Sequence, residues 1–189
     1  MPKPIDNLVT SLTYTEFERL VRDYVSDLGQ PLKDFEVTHN DKIPTADGTY
    51  QIDVKATFEA LGCDFLVLIE CKHYKEPIKR EKVQILNDKL RSIGAQKGII
   101  FSTSTFQAGA IQYAEAHGIA LIHVIEGRYT YVTKGQEKQD YNPPPWADIP
   151  KYVGVFRFNV NETGDRYFES YLSKNYMEDL AFFLFGKTT

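Results

Sequence analysis

The sequence predicts an α/β fold in which a mixed central sheet is flanked by helices, with a C-terminal strand and helix appended. Three observations predict it. Tyr50 to Phe58 alternates apolar and polar residues, as a half-buried strand does. Asp64 to Lys72 is apolar for most of its length, as a strand covered on both faces is. From Lys79 onward, helix-spaced stretches alternate with short apolar runs, the pattern of crossovers between neighbouring strands.

The elements follow in order. The residues up to Leu12 read as an extended arm. Thr15 is a suitable N-cap, with Glu16 and Glu18 in the first helical turn. Phe17, Leu20, Val21, Tyr24, Val25 and Leu28 keep helical spacing, and Gly29 stops the helix. Phe35 to His39 reads as a short strand, and Asn40 to Gly48, with Pro44 and Asp47, as a loop. Strand alternation places Tyr50, Ile52, Val54, Ala56 and Phe58 on one face and Gln51, Asp53 and Lys55 on the other. A turn containing Gly62 leads into the strand ending at Lys72. A helix from about Lys79 to Ile93 carries Val83, Leu86 and Leu90 on its buried stripe and closes at Gly94. Lys97 to Phe101 is a buried strand, and Ser102 to Thr105 supply the cap of a helix that ends at His117-Gly118. Ile119 to Ile125 is a further strand.

Beyond that strand the character changes, so the chain divides into a core at 1–125 and an extension at 126–189. Arg128 to Thr133 reads as a short strand, and Pro143-Pro144-Pro145-Trp146 as a stiff linker or docking segment. Val153 to Val160 reads as a strand. Arg166 to Phe185 is helix-like, with Phe168, Leu172, Tyr176, Leu180 and Phe183 in rough register. That aromatic tail is expected to pack on the core or to serve self-association.

The whole chain has 189 residues and a formal charge of −4, so any nucleic-acid contact must come from a local basic patch. Cys63 and Cys71 fall on one predicted strand and cannot pair within it, which fits reduced thiols in the cytoplasm. No run approaches membrane-spanning length, and the first residues lack an apolar signal core.

Chemistry concentrates at the end of the buried strand. Glu70 and Lys72 point to the same side of it, roughly 6.5–7 Å apart along the strand. Asp53 lies across from them if the two strands pair as a hairpin. A Glu-x-Lys pair on a strand is commonly a solvated ion pair worth about 0–1 kcal/mol. Here Leu66, Val67, Leu68 and Ile69 lead straight into it, so its charges sit where charges are seldom idle. Two carboxylates make a hard-oxygen site for Mg²⁺. A metal there polarises a phosphoryl oxygen and activates its bound water, while a nearby lysine orients that water or neutralises phosphate charge. Lys75, Lys79, Arg80 and Lys82 extend a basic cluster beside this site and are expected to contact phosphates. His39, His73, His117 and His123 have no metal-ligand spacing, although His73 adjoins Lys72. No Gly-rich phosphate loop, nucleophile elbow or zinc pattern is present.

A longer pattern surrounds these residues. It comprises Ile52-Asp53-Val54, Ile69-Glu70-Cys71-Lys72-His73-Tyr74, Gly94-Ala95-Gln96-Lys97-Gly98-Ile99, Phe106-Gln107-Ala108-Gly109-Ala110 and Gly118-Ile119-Ala120-Leu121-Ile122. In order and spacing it resembles the PD-(D/E)XK nuclease superfamily, specifically the Mrr-like restriction endonuclease catalytic domain, over about Thr15 to Val124. The resemblance implies a restriction-endonuclease-like fold and a Mg²⁺-dependent DNA endonuclease, with Mn²⁺ able to substitute. It implies Asp53 and Glu70 as metal ligands, the Cys71 backbone carbonyl completing the protein shell, and Lys72 assisting the attacking water. Phe17-Glu18 resembles a Phe-Glu pair on the family's first helix, which makes Glu18 a further candidate ligand or neighbour. Gln84 lies where related nucleases often carry a polar residue near the site.

The expected partner is double-stranded DNA, with a homodimer and a separate recognition partner as further expectations. The expected role is restriction of foreign or modified DNA. A winged-helix-like segment is not expected before the catalytic region, nor a familiar recognition module after Glu126, and the expected targets are methylated DNA, a specific sequence, a branched structure or a target delivered by a partner. Two alternatives stand beside this reading. One is a structure-selective nuclease of the Holliday-junction type, which requires a symmetric dimer. The other is a non-catalytic DNA-binding or assembly subunit that keeps the fold.

Overall fold

The structure is a computed structural model, and it describes residues 8–29, 32–60, 62–126, 151–159, 167–172 and 183. Helices α1 (Leu8–Ser11) and α2 (Tyr14–Gly29) precede strands β1 (Lys33–Thr45), β2 (Gly48–Ala60) and β3 (Cys63–Lys72). Then come α3 (Arg80–Ile93), β4 (Lys97–Ser102), α4 (Ala108–Ala116) and β5 (Ile119–Glu126), followed by β6 (Tyr152–Asn159) and β7 (Tyr167–Leu172).

All seven strands form one sheet in chain order, β1 through β7. The first three pair antiparallel, β3, β4 and β5 pair parallel, and β5, β6 and β7 pair antiparallel. The parallel segment has its cause in sequence. Ile99, Ile100 and Phe101 are buried in succession, so β4 needs cover on both faces. Helices α3 and α4 supply one cover as the crossovers, packing Val83, Leu86, Leu90, Ala110 and Ala114 against Leu68, Ile100 and Leu121. Helix α2 supplies the other, packing Phe17, Val21 and Val25 against Val67, Ile69, Cys71, Ile99, Phe101 and Ile122. Gly98 permits the close approach of α3, because a Cβ there would meet Leu90 Cδ1 at 2.7 Å.

The structure corrects several sequence expectations. The segment before Leu12 is not wholly extended: Leu8–Ser11 is a short helix with Val9 fully buried, and residues 1–7 lie outside the described residues. Helix α2 is started by Thr13, not Thr15. Thr13 Oγ1 accepts the Glu16 N–H at 3.3 Å, and the Glu16 carboxylate accepts the Thr13 N–H at 2.7 Å, a reciprocal capping box. Asn40 to Thr45 is strand, not loop, and the hairpin turns only at Ala46-Asp47. Among the described residues β1 is an edge strand, so Pro44 costs it no ladder bond. Asp47 then ties the hairpin tip to α3, accepting hydrogen bonds from Tyr50 at 2.9 Å and Ser92 at 3.0 Å.

The five apolar residues of β2 do not share one face. Tyr50 and Ile52 pack on the α3/α4 side, whereas Val54, Ala56 and Phe58 pack beneath α2. The change falls at Asp53. From Val54 onward β2 is paired with β3 as well as β1, but before it β2 pairs with β1 alone, and two-stranded ribbons twist more strongly. Ser102 to Thr105 do not cap α4, which starts at Ala108 after Gln107 with no side-chain cap. Tyr167–Leu172 is a strand rather than the start of a helix. The expected strand at 128–133, the Pro143–Trp146 segment and most of the tail beyond Leu172 lie outside the described residues.

Candidate active site

The β2–β3 ladder runs from Ala60 paired with Cys63 to Val54 paired with Ile69. One step past that last pair stand Asp53 and Glu70. With no ladder partner there, the Asp53 carboxylate takes the place of one: its Oδ2 accepts the Cys71 N–H at 2.7 Å. Strand alternation directs Cys71 beneath α2, with Ile69 and Val67, and sends Glu70 and Lys72 to the α3 side with Leu68. Lys72 Nζ lies 2.6 Å from Glu70 Oε2 and 4.0 Å from Asp53 Oδ2. The expected trio is therefore gathered in one place, where Glu70 is 4% exposed and Asp53 8%.

Burial sets the electrostatics. Desolvation, then the adjacent Glu70 charge, raises the Asp53 carboxyl above its ordinary value, against the Cys71 N–H and Lys72, which lower it. Burial alone would lower the Lys72 ammonium, but the charge and hydrogen bond of Glu70, followed by Asp53, outweigh it and raise the value. Lys72 is thus a firmly protonated cation in the resting site. Burial and then Asp53 push the Cys71 thiol well up, so this residue offers its carbonyl oxygen rather than a thiolate.

Sequence reasoning missed two side chains that touch the site. Lys89, on α3, places Nζ 2.5 Å from Glu70 Oε1 and donates to the Gln51 carbonyl at 2.8 Å. Tyr14, on α2, directs its hydroxyl to the Cys71 carbonyl at 3.4 Å. Burial, then the charges of Asp53 and Glu18, push the Tyr14 phenol up, so it stays a neutral donor. Lys89 left only a faint sequence signal, a lysine immediately before the buried Leu90.

The other candidates are placed as follows. Glu18 is buried on α2 and engaged by His39, with Nε2 2.9 Å from Glu18 Oε2. His73 is half-buried, its ring edge-on to Phe17 at 6.0 Å, and its Nε2 has no hydrogen-bond partner among the described residues. Lys75 and Lys79 are exposed, Arg80 lies over the Tyr113 ring at 4.9 Å, and Lys82 lies 3.8 Å from Glu81. Gln84 is exposed on α3 and has no hydrogen bond to the trio.

The loop after Lys72 is stitched to the loop after β4. Thr103 Oγ1 accepts the Tyr74 N–H at 3.1 Å and donates to the Tyr74 carbonyl at 3.0 Å. The Ile78 N–H donates to the Thr105 carbonyl at 2.8 Å, and the Gln107 N–H to the Ile78 carbonyl at 3.0 Å. The hydroxyl expected to cap a helix instead fixes the segment that carries Lys75 and Lys79.

Nucleases of the PD-(D/E)XK type generally use divalent metals, and the residues here fit one. Among the described residues, no three His, Cys, Asp or Glu side chains gather as a ligand cluster. The donor set is two carboxylates and the Cys71 carbonyl, all hard oxygens, and only one Asp53 oxygen is engaged by the Cys71 N–H. Such a set would suit a hard divalent cation that keeps several of its waters.

Comparison with known proteins adds a family. Residues 9–126 match the Mrr_cat family, described as a restriction endonuclease. No curated protein matches the chain. Among solved structures, a protein of unknown function, AF1548, is 23% identical with a TM-score of 0.46, over 61% of this chain and 57% of that one. Can2 from Sulfobacillus thermosulfidooxidans, in complex with cyclic tetra-adenylate, is 18% identical with a TM-score of 0.46, over 57% of this chain and 32% of that one. The match thus spans a little over half of the first protein's length and about a third of the second's.

Proposed function

The chain belongs to the Mrr_cat family of restriction endonucleases, and from that premise we propose that it is a divalent-metal-dependent endonuclease cutting double-stranded DNA, with Asp53, Glu70 and Lys72 as its catalytic group. The observation that carries this reading is the convergence of the three at the end of β3, with Lys72 2.6 Å from Glu70 and 4.0 Å from Asp53. We assign Mg²⁺ as the working ion, with Mn²⁺ as a substitute, and restriction of foreign DNA in the cytoplasm as the role.

Asp53, Glu70 and the Cys71 carbonyl would hold the ion. When bound, it polarises a phosphoryl oxygen and makes a coordinated water a better nucleophile. Lys72 supplies a fixed positive charge. Because its partners keep it protonated, its part is to orient the attacking water and to stabilise negative charge growing on the phosphoryl oxygens, not to remove a proton in the resting state. Lys75 and Lys79, exposed on the loop pinned by Thr103, contact the DNA backbone, and phosphate contacts position the strand without reading sequence.

The test is cleavage of supercoiled plasmid, methylated and unmethylated, with Mg²⁺, Mn²⁺ or EDTA. Asp53→Asn and Lys72→Ala proteins, checked for folding, run alongside. Metal-dependent cutting is expected, with each variant slower by at least about 100-fold, the scale on which one preorganised charge in an active site acts. Cutting that persists undiminished in both variants would remove the proposed site. DNA binding with no cutting in any condition would replace the enzyme with a binding subunit.

A further inference from the structure

Both carboxylate oxygens of Glu70 are engaged by lysines. Lys72 takes Oε2 at 2.6 Å, and Lys89 takes Oε1 at 2.5 Å. Asp53 and Glu70 bring two negative charges, and Lys72 and Lys89 bring two positive ones. These four charges cancel one another. Both lysine side chains are 16% exposed, so these charges are screened far less than on a surface.

Lys89 differs from Lys72 in how it is held. It reaches across from α3 and divides its donors between Glu70 and the Gln51 carbonyl. Giving up Glu70 leaves it with a backbone acceptor, so release is less costly than it would be for an ammonium with one partner. Among the described residues, Lys72 makes its ion pairs with two carboxylates, Glu70 and Asp53.

From this geometry we infer that Lys89 is an internal counter-cation that competes with the divalent metal for Glu70. The inference rests on the metal-nuclease reading and adds a residue and a cost to it. Lys89 would hold Glu70 Oε1 until a divalent ion binds, and would have to give up that oxygen when the ion takes it. A metal-loaded site that retains both lysines carries two excess positive charges, which the DNA phosphate then offsets. Lys89 thereby weakens metal binding without DNA and strengthens its coupling to substrate.

The experiment is calorimetric titration with Mn²⁺ alone, without DNA, on the wild type, Lys89→Met, Lys89→Gln, Lys89→Arg and Asp53→Asn proteins, each checked by circular dichroism and thermal melting in EDTA. Lys89→Met removes the charge at similar length. Lys89→Gln keeps a donor for the Gln51 carbonyl and serves if the methionine protein does not fold. The expected result is Mn²⁺ affinity about tenfold higher in the uncharged variants, the order expected for removing one positive charge a few ångströms from a partly buried ligand. Their metal-free melting temperature should fall, and Lys89→Arg should bind as the wild type does. Unchanged or weaker Mn²⁺ binding in the folded, uncharged variants would overturn the inference and leave Lys89 with a structural role. Equal binding by wild type and Asp53→Asn, or none by any protein, would remove the metal site itself, a different failure.

Discussion

Glu70 and Glu18 are alike in burial, 4% and 8% exposed, and unlike in company. Glu70 ends a strand that is apolar on both faces and meets two lysines, one from its own strand and one from α3. Glu18 sits on α2 and meets the imidazole of His39 on β1, with the Tyr14 hydroxyl also interacting with it. The difference shows where charge is concentrated and where it is only accommodated. Two ammonium groups on one carboxylate far exceed what satisfying its oxygens requires, since backbone donors or water could do that. On Glu18 the His39 imidazole satisfies a buried acid and holds α2 against β1, and the Glu18 charge is felt at Tyr14 and Asp53 without, among the described residues, an ammonium of its own beside it. Acidic residues that look equivalent by burial are separated by what surrounds them.

Neutralising the two acids in turn separates their roles. Glu70→Gln should reduce plasmid cleavage by at least about 100-fold. It also leaves Lys72 and Lys89 facing a neutral amide, and breaking a buried ion pair from one side costs about 3–5 kcal/mol at most. Partial exposure of the lysines puts the expectation below that, read as a lower urea midpoint in EDTA. Glu18→Gln keeps an acceptor for His39, so its stability loss should be about 1 kcal/mol, the worth of a weakened hydrogen bond. Its cleavage rate should fall much less than that of Glu70→Gln. Equal losses of cleavage in the two variants would mean that Glu18 shares the work of the site.

The comparison also shows what a sequence can carry. The trio was legible because a strand has a fixed period: Glu70 and Lys72 must share a face whatever else the fold does, and a hairpin brings Asp53 opposite. Lys89 was not, because its place depends on how α3 is rotated and where it crosses β3, which follow from packing. Tyr14 was hidden by the misplaced cap, since starting the helix at Thr15 leaves Tyr14 outside it. Asn40 to Thr45 read as loop because Pro44 and Asp47-Gly48 signal a turn, and nothing local reveals that a proline on an edge strand is tolerated. Phe168 and Leu172 are four residues apart, which puts them on one face of a helix or of a strand, so spacing alone could not identify β7. The sheet's parallel centre was legible for the opposite reason, as runs like Gly98-Ile99-Ile100-Phe101 have few other uses.

The smallest expected effect concerns the third acid, and it separates function from stability. Asp53 faces Glu70 across the splayed end of the hairpin, and burial and then that charge raise its carboxyl above the ordinary 3.8. A carboxyl with a raised value binds its proton more tightly folded than unfolded, so its contribution to stability is fully present below 3.8 and is lost as pH rises through the folded value. At neutral pH an ionised Asp53 in the metal-free protein therefore destabilises the fold. Asp53→Asn can still accept the Cys71 N–H and has nothing to ionise. In EDTA at pH 7 it should melt at or slightly above the wild-type temperature, and the gap should narrow as pH falls through the raised folded value and be closed below 3.8. Taking the difference between the two proteins at each pH matters, because Asp41 and Asp47 have lowered values, and their contribution runs the other way and is lost as pH falls. If Asp53→Asn melts well below wild type at neutral pH, the aspartate is holding the hairpin together through its charge on Lys72. If it melts level or higher while cutting nothing, the carboxylate is maintained against the stability of the fold, for the reaction it serves.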